Sequence, residues 1–199
     1  MALITKAPRG TQDFTPDQSA RMRYIEDTLM RIAGLHGFGE IRTPTFEHTE
    51  LFVRSVGDTT DVVQKEMYTF TDDGDRSLTL RPEGTSGAVR AYIEHGMHNH
   101  AQPTKLYYIS PTFRCENTQA GRQRQFHQFG IEMLGSYSAA QDAEVISVAT
   151  ALLEEMGVEV RTSFEVMGLK RGKKGGFQVF SKEEALHADA VIICCGGMA

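Results

Sequence analysis

GRQRQFHQFGIE, Gly121–Glu132, together with KLYYISPTFRCE, Lys105–Glu116, is the stretch whose reading decides the fold. Successive side chains of a strand point to opposite faces. On that rule Ser110, Thr112, Arg114 and Glu116 share one face of the first run, and Ile109, Phe113 and Cys115 the other. In the second run Arg122, Arg124, Phe126, Gln128, Gly130 and Glu132 share one face, and His127, Phe129, Ile131 and Met133 the other. NTQAG, Asn117–Gly121, is the polar link that makes the two a hairpin. One face is apolar enough to pack on helices, with His127 expected inside that packed layer. The other gathers arginines, carboxylates, an amide, one ring and a glycine that leaves room above the sheet. A polar sheet face is ordinarily solvated. Phe126 argues otherwise, because a ring in the middle of such a face has no packing partner unless a ligand supplies one.

Working outward, Thr15 with Gln18 forms a capping box, Pro16 suits the first helical position, and Met22, Ile25, Leu29, Ile32 and Ala33 recur at helical spacing until Gly37. A strand is expected over EIRTPTF, Glu40–Phe46, where Pro44 restricts it to a sheet border or an interface. EMYTFTDDGDRSLTL, Glu66–Leu80, reads as a second hairpin turning at Asp73-Gly74. The chain breaks at RPEGT and resumes as a helix through SGAVRAYIEH, with Thr85 or Ser86 as its cap. These elements predict an α+β fold, an antiparallel sheet flanked by helices and followed by a short β-rich tail.

Composition bounds the function. With 40% hydrophobic and 24% charged residues among 199, and a net charge of -5, the sequence is globular and no basic nucleic-acid coat. It holds no apolar run of bilayer length and no leader-like start, so a cytoplasmic protein is expected. The three cysteines, Cys115, Cys194 and Cys195, lack the spacing of a disulfide framework or a zinc site. EHGMHNH offers Glu94, His95, His98 and His100, but Gly96 ends the helix between them, so they are read as loop residues and no metal site is expected. KRGKK, Lys170–Lys174, is a solvated turn.

The chemistry of the polar face follows from its residue types. Guanidinium forks bond phosphate oxygens in pairs and stay charged, so arginines on a rigid strand suit a polyphosphate. Phe126 can stack on a base, and Glu83, Gln128 and Glu132 can ring a small cationic or hydrogen-bonding group beside it. A site that pairs with a substrate's own donors discriminates far better than an apolar pocket does.

RPEGT (Arg81–Thr85), FRCE (Phe113–Glu116), GRQRQFHQFGIE, RGTQDF (Arg9–Phe14) and DVVQKEMYTF (Asp61–Phe70) resemble the histidyl-tRNA synthetases, class II aminoacyl-tRNA synthetases, over about Pro8–Gly157. The resemblance implies a synthetase core over residues 1–157 carrying motifs 1 and 2. The helix from Pro16 and the strand with Pro44 resemble motif 1, which implies a homodimer. It also implies ATP held by Arg114 on the α-phosphate, Glu116 at the adenine, Arg122 towards the γ-phosphate and Phe126 on the base, with Arg114 and Mg2+ catalytic. L-histidine would lie on Glu83, Thr85, Gln128 and Glu132. The implied reaction joins histidine to tRNA(His) through histidyl-adenylate. At Asn117-Thr118 the family commonly has a basic residue and a proline, so tRNA contact there is not implied. Beyond Gly157 no motif 3, histidine-specific segment or anticodon-binding part resembles the family, so impaired adenylation is expected of this chain.

Residues 158–199 instead resemble a piece of the flavin-dependent two-dinucleotide-binding oxidoreductases, ending in the buried-strand pattern ADAVIICCGG. There is no GxGxxG loop, so no flavin is expected. The expectation is a tail of different origin joined near LLEEMGV, against the alternative of a divergent synthetase insertion. A non-catalytic histidine sensor, like the regulatory subunit of ATP phosphoribosyltransferase, and an inactive chimeric fragment are the competing functional readings.

Overall fold

The computed structural model describes residues 5–56, 66–118, 122–172 and 175–191. The chain divides into two compact units, Met1–Gly157 and Val158–Ala199. The first opens with α1 (Pro16–Leu35), where Gln18 Oε1 accepts from the Thr15 N–H at 3.0 Å and Gly37 turns the chain away at φ +77. Then come β1 (Gly39–Glu40), β2 (Phe46–His48), α2 (Thr49–Val56), β3 (Thr69–Thr71), β4 (Ser77–Leu80) and α3 (Thr85–Glu94). The long hairpin β5 (Thr104–Phe113) and β6 (Gln125–Leu134) follows, then α4 (Ala139–Glu155).

The long hairpin carries the first sheet, in the order β1-β5-β6. β5 and β6 run antiparallel through ten pairs from Thr104↔Leu134 to Phe113↔Gln125, whereas β1 joins β5 in parallel, so this sheet is mixed rather than antiparallel throughout. On its apolar face Tyr107 is buried with Ile32, Ala33 and Phe38 from α1 and its exit, and with Val148 and Leu152 of α4. Phe129 and Ile131 pack against that cluster, as the strand parity predicts. His127 does not. It is exposed, meets the Phe14 ring edge-on, and lines a groove with Arg23 and Glu26 of α1 instead of joining the core.

The expected strand Glu40–Phe46 is broken in two. β1 pairs with β5, β2 pairs with β4 in a second sheet of order β2-β4-β3, and Pro44, which has no N–H to give a ladder, sits in the crossing between them. Arg81 bridges the two sheets. Only 6% exposed, it donates from Nε to Pro111 O at 2.7 Å and from Nη1 to Thr43 O at 2.9 Å, and burial pushes its guanidinium below its usual range.

The β3–β4 turn also departs from its sequence reading. The left-handed residue is Asp75, at φ +57, and not Gly74. Asp72 dictates this by accepting from Gly74 N at 2.9 Å, Arg76 N at 3.0 Å and Arg76 Nε at 2.7 Å, and that bonding lowers its pKa to about 2.

The second unit is an antiparallel meander, β7 (Gly168–Arg171), β8 (Phe177–Phe180) and β9 (Ala185–Ala188). Its third strand was not expected from the sequence. The expected terminal strand and the Cys194-Cys195 pair lie outside the described residues, as do most of DVVQKE, Gln119–Gly121 and two lysines of KRGKK.

Candidate functional site

The polar face of the β5–β6 hairpin and the turn before α3 build the site. Register sets Thr112 beside Phe126, Ser110 beside Gln128, Tyr108 beside Gly130 and Leu106 beside Glu132. Same-face residues of a strand repeat about every 7 Å, so Phe126 and Glu132 stand about 20 Å apart along it.

One end of this face presents donors. Arg114 is anchored by Nε donating to Pro82 O at 2.9 Å, and its guanidinium carbon lies 5.3 Å from the Phe126 ring centre. Glu116 stands between two arginines, with Arg122 Nη1 at 3.2 Å from one carboxylate oxygen and Arg114 Nη1 at 3.7 Å from the other. The Arg122 side chain is 62% exposed, so this pair contributes little and Arg122 can turn to another anion. Arg124, on the same parity, is committed elsewhere: its Nε donates to Glu116 O at 3.3 Å and its backbone N–H to Gly10 O at 2.7 Å. Arg9 Nε donates to Thr118 Oγ1 at 2.7 Å, so the amino-terminal strip is pinned to the hairpin tip.

The other end presents acceptors. Thr85 ties two carboxylates together: its N–H donates to Glu83 Oε2 at 2.6 Å and its Oγ1 to Glu132 Oε1 at 2.7 Å. Glu83 also accepts from Ser86 N at 3.1 Å and from the Ser86 hydroxyl, so the side chain that caps α3 is Glu83 and not Thr85 or Ser86 as expected, with Gly84 at the N-cap position. A carboxylate there meets the free N–H groups and positive end of the helix. Burial raises the Glu132 carboxyl above its ordinary value, an effect that Thr85 and Tyr108 oppose by hydrogen bonding and the Glu83 charge adds to. Gln128 Oε1, buried on the same face, has no hydrogen-bond partner among the described residues.

The eight expected residues therefore fall into two groups. Arg122, Glu116, Arg114 and Phe126 are linked in that order at one end. Glu83, Thr85 and Glu132 are joined at the other, and Gln128 lies between. The sequence reading missed Tyr108, although it shares the parity of Ser110 and Thr112. Its ring fills the space left by Gly130, where a Cβ would lie 2.2 Å from Tyr108 Cζ, and burial pushes its hydroxyl up to about 12. A groove of about 480 Å³ runs along α1, past Arg23, Glu26, Asp27, Arg42 and His127; Tyr108 and Ser110 also line it, but neither Gln128 nor Glu132 does.

Residues 10–172 match the histidyl-tRNA synthetase family. The histidine–tRNA ligase of Thermoanaerobacter pseudethanolicus is 60% identical over 156 residues, which is 78% of this chain and 37% of that protein. That of Clostridium kluyveri is 55% identical over 173 residues, 86% of this chain and 42% of the relative. The chain thus spans about two fifths of the length of these curated relatives. Among solved structures, apo histidyl-tRNA synthetase of S. aureus superposes with a TM-score of 0.64 at 44% identity, over 84% of this chain and 36% of the other. A Bacillus halodurans protein described as an ATP phosphoribosyltransferase regulatory subunit/histidyl-tRNA synthetase gives 0.67 at 26% identity, over 80% and 40%.

Proposed function

The chain belongs to the histidyl-tRNA synthetase family, and from that premise we propose that its hairpin face binds L-histidine at the acceptor end and ATP at the donor end, as part of a histidine–tRNA ligase. One observation supports this above the others: the buried, unpartnered Gln128 Oε1 on the strand face that also carries Glu132, whose carboxylate Thr85 bridges to Glu83. Two carboxylates and an amide oxygen are acceptors to be matched, and histidine brings an ammonium and an imidazole N–H.

In this reading Arg114 holds the α-phosphate, Arg122 turns from Glu116 to the γ-phosphate, Phe126 stacks on adenine, and Mg2+ enters with the nucleotide. An oxygen of the histidine carboxylate attacks the α-phosphorus in line, the bond to the bridging oxygen breaks, and pyrophosphate leaves as histidyl-adenylate forms. Little covalent chemistry falls to the protein; positioning and cations where charge develops do the work. Transfer of the histidyl group to tRNA(His), a homodimer through α1 and the segment around Pro44, and a cytoplasmic place of action belong to the same proposal. No helix among the described residues is long and apolar enough to cross a membrane. We further propose that residues 158–199, a compact unit apart from residues 1–157, are of separate origin, although the family match runs on to residue 172.

The likeness to the Bacillus halodurans protein supports a second reading, a histidine sensor without catalysis. Arg114, Arg122 and Phe126 favour the enzyme, since a sensor has no use for a nucleotide cradle. Equilibrium dialysis of the full chain against labelled L-histidine and, separately, labelled ATP tests both. Retention of both ligands is expected, retention of histidine alone would leave the sensor, and retention of neither would leave an inactive fragment.

A further inference from the structure

The Tyr108 ring lies between two glycines. A Cβ at Gly84 would stand 2.2 Å from Tyr108 Cε2, and one at Gly130 would stand 2.2 Å from Cζ and 2.3 Å from the hydroxyl. Neither glycine has a positive φ, so no backbone conformation requires glycine at either position. What requires it is the ring. Its hydroxyl comes to rest 3.4 Å from Glu132 Oε1 and 3.5 Å from Thr85 Oγ1.

Proton accounting gives that placement meaning. Thr85 has one hydroxyl proton, and its 2.7 Å contact with the carboxylate commits it to Glu132 Oε1. The Tyr108 proton therefore has two destinations, Glu132 Oε1 directly or a lone pair of Thr85 Oγ1, and either supports the same carboxylate. Both contacts are long for O–H···O bonds, and a shift of about half an ångström would close one of them. Glu132 Oε2 has no partner among the described residues.

We infer that Tyr108 is a positioning residue, seated by Gly84 and Gly130 so that its hydroxyl, with that of Thr85, fixes Oε1 of Glu132 and leaves Oε2 turned out for an N–H of the ligand. The ligand's identity as histidine rests on the function proposed above. The coupling between tyrosine and glutamate does not.

The test uses the full chain labelled with carbon-13 at the glutamate carboxyls, with the Glu132 signal identified by its loss in Glu132→Gln. Tyr108→Phe keeps the ring between the glycines and removes only the hydroxyl. The charged and titratable groups facing Glu132 are Tyr108 itself and Glu83, and Glu83 is unchanged by this substitution. Because a hydrogen bond to the ionised form favours it, the titration midpoint of Glu132 is expected to rise in Tyr108→Phe. Retention of labelled L-histidine at fixed pH is expected to fall about tenfold, the scale of one well-made hydrogen bond. A structural role for the ring alone would move neither readout. An unmoved Glu132 midpoint overturns the inference whatever histidine does. A moved midpoint in a chain whose wild type retains no histidine would instead withdraw the ligand assignment and leave the coupling standing.

Discussion

Replacing Gly130 by alanine should destabilise the first unit, although at an ordinary backbone conformation the same change normally does the reverse. Where φ is not positive, Gly→Ala stabilises by about 0.4–1 kcal/mol through the unfolded chain. Here the new methyl would stand 2.2 Å from Tyr108 Cζ, against 3.4–4 Å for ordinary contact, so at least 1.2 Å (3.4 − 2.2) must be found. The ring cannot retreat, because Gly84 approaches it equally closely. Overpacking of this kind costs about 1–3 kcal/mol, leaving a net loss of up to about 2.5 kcal/mol. Gly34→Ala is the control: it lies inside α1 with nothing within 4 Å of its added Cβ, and should gain up to about 1 kcal/mol. Urea unfolding followed by circular dichroism measures both. Gly130→Ala at or above wild-type stability, with Gly34→Ala behaving as stated, would refute the packing argument.

Arg81→Lys should cost about 2–4 kcal/mol in the same assay, since one ammonium cannot replace a fork bonded to carbonyls on both sides of the sheet junction. A loss under about 0.5 kcal/mol would show that the fork is dispensable. Glu132→Gln should raise the melting temperature at pH 7.5 and abolish histidine retention. The sign follows from the raised carboxyl pKa in the folded chain: its stabilising effect is complete below the unfolded value and is lost as pH rises through the folded one, so the ionised group is a cost at neutral pH. The advantage of the variant should shrink on acidification to pH 4, and an unchanged difference would contradict the burial argument. Residues 1–157 expressed alone should keep their helical signal and their histidine retention, and an unfolded product would end the proposal that the tail is a separate unit.

The strand parity of the long hairpin was legible because period two is a property of any strand, independent of what packs on it. It placed Phe126, Gln128, Gly130 and Glu132 on one face and Phe129 and Ile131 against the helices, as the register and core show. Parity does not say how closely a helix packs, and at His127 a groove separates α1 from the sheet. Nor does a run of strand formers with one proline show where its two halves pair; Pro44 marked the interruption without revealing that β1 and β2 join different sheets. The turn at Asp72–Arg76 escaped for a local reason. An aspartate that captures two backbone N–H groups and a guanidinium overrides the preference of Gly74 for the left-handed position.

The capping role of Glu83 and the place of Tyr108 share a further reason for having been missed. Glu83 is a helix cap and a member of the proposed pocket, joined to Glu132 through Thr85, so the hydrogen bonds that start α3 also hold the acceptor end together. Tyr108 reads as one more aromatic of a half-buried strand until the two glycines that admit its ring are known, and Gly84 comes from another element altogether. Sequence patterns report each element singly. The polarity of this face, donors at Arg114 and Arg122 and acceptors at Gln128 and Glu132, arises where the hairpin meets the turn before α3. That junction, more than either element alone, is what separates donors at one end of the face from acceptors at the other.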